Sequence, residues 1–149
     1  GNMDTLDNFF KGSVFRFDAD PVVNDEKRAQ LVDFVMAIDS NLAPIVGQQV
    51  TLTAQSHADT DTRISLLMSR ADVGECDLIA KTVIDSNQRG FLYQGNSSFN
   101  SDRLEQYSYQ QLSAIAKEAG NSVTFTCVPP GSGVWLGIDR NQDGVLDSQ

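Results

Sequence analysis

After Gly47 the apolar residues switch repeatedly between a spacing of two and a spacing of three or four, which confines the chain to helices laid on a sheet. Val50-Thr51-Leu52-Thr53 alternates and is rich in branched residues, so it predicts a strand. Thr60 or Asp61 stands as the cap of a helix over Thr62–Val73, with Ile64, Leu67, Met68 and Ala71 on one face and Gly74 as its stop. Two strands follow, Asp77–Ile84 and Gly90–Gln94, joined by the polar turn Asp85-Ser86-Asn87-Gln88; Gly95–Asp102 reads as loop. A second helix, Ser108–Ala119, carries Leu112, Ile115 and Ala116 and ends at Gly120. Val123, Phe125 and Cys127 then alternate with threonines as a further strand, and Val134–Ile138 reads as a short returning one.

The expectation is an α+β domain over residues 47–138, in the order β-α-β-β-α-β. Its antiparallel sheet has about four to five strands with two helices on one face, as in the split βαβ arrangement. Residues 1–46 form an N-terminal helical segment, the tail of an upstream domain. There Leu6, Phe9, Phe10, Val14 and Phe15 predict a short helix broken at Gly12 and then extended chain. Asn24 and Asp25 can cap a helix over Asp25–Ile38 whose apolar face is Leu31, Phe34, Val35 and Ile38. Ser40, Asn41 and Pro44 end it, and Leu42–Gly47 reads as a packed linker. The opening Gly1-Asn2-Met3-Asp4 reads as a cut from a longer polypeptide, so the upstream domain of that polypeptide is the expected partner.

With 20 acidic residues against 11 basic and a formal charge of −9, the chain offers no attraction for a phosphate backbone, and no nucleic acid is expected. No apolar run reaches the roughly 18 residues of a spanning helix, so no membrane span is expected either. One histidine and two cysteines leave almost no material for a zinc site, a covalent haem site or a Ser-His-Asp triad. His57, among Ser56, Asp59 and Asp61, reads as a solvated surface residue. Gly131-Ser132-Gly133 fails the spacing of a nucleophile elbow, so no catalytic residue is assigned and no enzyme is expected. Met36 and Met68 read as core, and Asn96-Ser97-Ser98 matches a glycosylation acceptor. Trp135, Tyr93 and Phe91 are candidates for an aromatic platform that would bind carbohydrate or peptide.

Cys76 and Cys127, each beside a predicted strand, are consistent with one disulfide formed in an oxidising compartment, periplasmic or extracellular. The split βαβ order would place them at opposite sheet edges, about three spacings of 4.8 Å apart. A bridge needs Cα atoms within about 7 Å. Either the bridge is absent or the strand order differs.

Near the C-terminus, Asp139-Arg140-Asn141-Gln142-Asp143-Gly144-Val145-Leu146-Asp147 meets the demands of a calcium loop. Asp139, Asn141 and Asp143 offer oxygens at positions 1, 3 and 5. Gly144 permits the sharp turn at position 6, Val145 offers a backbone carbonyl at 7 and Asp147 a carboxylate at 9. A bound cation would relieve the repulsion among the three carboxylates. Position 12 lies beyond Gln149, which predicts weak binding, about 10⁻⁴ to 10⁻³ M. Residues 139–149 therefore form a separate acidic segment, resembling the calcium loops of EF-hand, dockerin and thrombospondin type 3 modules.

The helix Gln30–Ser40 followed by Pro44 resembles the closing helix of bacterial c-type cytochrome domains. Pro44–Leu52, Ala71–Leu78 and Phe125–Pro130 look like the C-terminal module that follows such domains in large exported bacterial proteins. The resemblance implies an accessory role beside an electron-transfer cytochrome, with Met36 as a conceivable axial ligand. No C-x-x-C-H occurs, so no haem is attached within this sequence.

Overall fold

The computed structural model describes residues 9–12, 15–36 and 41–149, with the chain dividing into two compact units, Gly1–Asn41 and Leu42–Gln149. In the first unit, helix α1 spans Pro21–Met36 and starts earlier than the sequence suggests. Its cap is Asp20, whose Oδ1 accepts the Val22 N–H at 2.9 Å, with Pro21 supplying a helical φ and no orphan donor at the first position. Asn24, expected as a cap, is buried instead, and its Oδ1 accepts the N–H groups of Phe17 (2.7 Å) and Asp18 (3.2 Å), tying the preceding extended chain to the helix. Phe10 and Phe15 meet edge to face with centroids 4.8 Å apart. Of the expected apolar face, Leu31 and Val35 are half-buried, whereas Phe34 is 65% exposed. Leu6, Val14, Ile38 and the side chain of Met36 lie outside the described residues.

The second unit is α+β: one antiparallel sheet carrying helices. Its strands are β1 (Gln49–Thr53), β2 (Asp77–Ile84), β3 (Asn87–Gly95), β4 (Ser98–Ser101), β5 (Gln106–Ser108) and β6 (Ser122–Val128). The sheet has six strands, in the order β1-β6-β2-β3-β4-β5. Helix α2 (Asp59–Asp72) follows β1, α3 (Tyr109–Lys117) follows β5, and a short α4 (Gly133–Gly137) follows β6.

Four expectations from the sequence do not hold. Gly95–Asp102 is no loop, because Asn96 and Ser97 take φ of 51° and 58° in a two-residue turn and send the chain back as β4. The same device, Asp85-Ser86 at φ 50° and 63°, shortens the β2–β3 turn so that β3 begins at Asn87. Val134–Ile138 is not a strand but α4, its entry fixed by Asp77 Oδ2, which accepts from Gly131 N (2.9 Å) and Gly133 N (2.8 Å). Finally, the strand order is not that of the split βαβ unit. β6 inserts between β1 and β2, pairing Cys127 with Leu78 and bringing Cys76 and Cys127 to a Cα separation of 5.4 Å, where they are bonded. Closing that 51-residue loop contributes about 4 kcal/mol.

Alternation along the strands sorts the two faces. Leu52, Leu78, Ala80, Phe91, Phe99, Val123 and Phe125 are buried in one cluster with Ile64 and Leu67 of α2 and Leu112 and Ala116 of α3. Ser108 caps α3 in a reciprocal box, accepting from Gln111 N at 3.2 Å while Gln111 Oε1 accepts from Ser108 N at 2.8 Å. The opposite face is polar toward β1, where the Thr51 and Thr124 hydroxyls meet at 2.9 Å. Toward β2 it is covered by α4, with Gly137 against Ile79 and Gly133 against Asp77.

Candidate metal centre

The C-terminal loop leaves the end of α4 at Ile138 and folds back to it. Asp147 N–H donates to the Ile138 carbonyl at 3.0 Å, so residues 139–147 close on themselves. Ser148 anchors the return, its N–H on the Asp102 carbonyl (3.2 Å) and its hydroxyl on Asp102 Oδ2 (3.0 Å). Within the loop Gln142 takes φ 58° and Gly144 φ 83°, a conformation that disfavours any side chain at the second position.

The first three expected ligands turn their oxygens toward the loop. Asp139 is 8% exposed, and its Oδ2 accepts from Gly144 N at 3.2 Å. Asn141 Oδ1 accepts from Asp143 N at 3.2 Å, and Asp143 Oδ1 accepts from Val145 N at 2.8 Å. Asp139 Oδ1, however, is buried and has no hydrogen-bond partner among the described residues, an arrangement that costs free energy unless a donor or cation supplies the contact.

Asp147 is drawn elsewhere. Its Oδ2 accepts from Arg140 Nε at 2.6 Å and its Oδ1 from Arg140 N at 3.0 Å. Burial pushes this carboxyl up, but the Arg140 contacts, with Lys81 beyond, outweigh it and hold Asp147 below the usual carboxylate range. Asn141 Nδ2 likewise donates to Asp143 Oδ2 at 2.8 Å. Among the described residues no three acidic, histidine or cysteine side chains converge as a ready metal cage. Calcium coordination by all five expected groups would require Asn141 to turn its amide and Asp147 to leave Arg140.

Beneath the loop lies a pair that the sequence does not reveal. Asp102, fully buried, accepts from Arg89 Nε (2.6 Å), Gly90 N (3.0 Å) and Ser148 Oγ, and so holds both the end of β4 and the loop's return. Burial lowers the affinity of Arg89 for its proton, but Asp102, with Tyr107 and Glu105, more than restores it. No periodic signal marks a buried carboxylate in a stretch read as loop.

The other candidates separate. His57 is exposed, and Ser132 is buried with its hydroxyl on the Pro129 carbonyl at 2.5 Å. Phe91 is fully buried and Tyr93 packs on Phe99 at 5.0 Å, both on the helix-covered face. Trp135, on α4, is 44% exposed beyond the opposite face, so the three rings form no common platform. No protein-family model matches the chain, and no curated protein or solved structure matches it.

Proposed function

We propose that this chain is a non-catalytic, calcium-binding module of a longer exported bacterial protein, working in the periplasm or outside the cell beside an upstream domain. The observation that carries the reading is Asp139 Oδ1, buried and unpartnered in a closed loop that also holds Asn141 and Asp143. A hard divalent cation is the partner that such an oxygen lacks. The bonded Cys76 and Cys127 support an oxidising compartment. Because calcium must draw Asp147 from Arg140, its affinity falls in the weak range of extracellular modules, about 10⁻⁴ to 10⁻³ M.

Thermal unfolding in EGTA and in 10 mM calcium tests this. A site of 1 mM affinity adds about 1.4 kcal/mol at that concentration. The rise in Tm is expected in the wild type, reduced in Asp143→Asn and abolished in Asp139→Asn. Equal midpoints with and without calcium in the wild type would overturn the reading.

A further inference from the structure

Beside the loop, on the face of the sheet away from α2 and α3, a cleft of about 390 Å³ opens between β2, the start of β6 and the end of α4. Its size is that of a small-molecule site. The charge of its lining inverts that of the protein. Lys81, Arg89 and Arg140 line it and no acidic residue does, although the chain carries 20 acids against 11 bases.

Two of those cations are already matched. Arg89 is held by Asp102 at 2.6 Å and Arg140 by Asp147 at 2.6 Å. Lys81 has no ion pair or hydrogen bond among the described residues; Arg140, which shares the cleft, repels it, and Asp147, already held by Arg140, attracts it only from beyond contact distance. Around it stand donors that the fold has not used. Gln88 accepts from Arg140 through Oε1, which leaves its amide N–H groups uncommitted, and the Ser122 side chain makes no hydrogen bond among the described residues. An ammonium beside a second cation, in a cleft with spare neutral donors, is complementary to one negative charge on oxygen.

We propose that this cleft binds a small, singly charged oxyanion, a carboxylate or a phosphate monoanion, with Lys81 as its counter-charge and Gln88 and Ser122 as its neutral donors. Two charges would exceed the one that is unmatched. The site stands apart from the calcium reading, since the cleft is present with Asp147 still on Arg140.

Amide chemical-shift titration of the whole chain in EGTA tests it, with D-glucuronate and inorganic phosphate at pH 6 as probes and glucose as the neutral control. Saturating shifts at residues 81, 88, 90, 122 and 124 are expected for one or both anions, with a Kd on the order of 1 mM. Which anion binds identifies the source. Lys81→Gln, at an exposed position, is expected to weaken that binding at least tenfold with Tm unchanged. Lys117→Gln, on α3, is expected to leave it intact. The proposal is overturned by absence of saturating shifts with either anion up to 20 times that Kd, by glucose binding equally well, or by Lys81→Gln binding as tightly as the wild type.

Discussion

On one face of the sheet Leu52, Phe91, Phe99 and Phe125 are sealed under two helices; on the other, Thr51 meets Thr124 and Lys81 looks across an open cleft at Arg140. The same strands build both. The sealed face follows from alternation alone, because every second residue is apolar and needs burial. The open face is assembled from pieces distant in sequence, with α4 and the C-terminal loop brought back over β2 and β3 by contacts to Asp77, Gly90 and Asp102. Stability resides on the first face, and the uncommitted charge and orphaned oxygen sit on the second.

The strongest way to break this division is at the residue that joins the two sides. Asp102 reaches Arg89, whose guanidinium lies 5.9 Å from the Phe91 ring, and also Ser148 of the loop's return. Asp102→Ala leaves a buried arginine without its charge partner and is expected to cost about 3–5 kcal/mol in urea unfolding. A loss under 1 kcal/mol would mean that Arg89 finds water or Glu105 as readily. Next comes Gly90, where a Cβ would run into the Gly137 carbonyl. Gly90→Ala is expected to cost about 1–3 kcal/mol and to shift amide resonances in α4 while leaving those of α2 in place, since the strain falls on one face. Smallest is the acid response of the Arg140–Asp147 pair. A carboxyl depressed in the folded state contributes stability that is fully present above its unfolded value and is lost as pH falls through its lower folded value. Stability is therefore expected to decline as pH falls through and below the ordinary carboxylate range. Arg140→Gln is expected to flatten that slope and to cost about 0.5–1 kcal/mol at pH 7.

What the sequence discloses follows the same division. The helices under the sealed face are legible to within a few residues, because Ile64, Leu67 and Met68, and later Leu112 and Ala116, repeat at helical spacing and the helices stop two or three residues before Gly74 and Gly120. The bond between Cys76 and Cys127 was legible as a conflict, which the insertion of β6 between β1 and β2 removes. The turn at Asn96-Ser97 carries no glycine to mark it, though both residues adopt positive φ. Val134-Trp135-Leu136 is too short for its period to separate helix from strand, and the contact that decides it, Asp77 to Gly133, spans 56 positions. In the candidate centre Asp139, Asn141 and Asp143 are gathered as their spacing implies, whereas the hold of Arg140 on Asp147 depends on side-chain reach that spacing does not encode.

The most direct test is a crystal grown in 10 mM calcium. The account predicts an anomalous peak within the loop, 2.3–2.6 Å from Asp139 Oδ1 and from oxygens of Asn141 and Asp143. A well-ordered loop with no such peak, and with Asp139 Oδ1 satisfied by water alone, would contradict it.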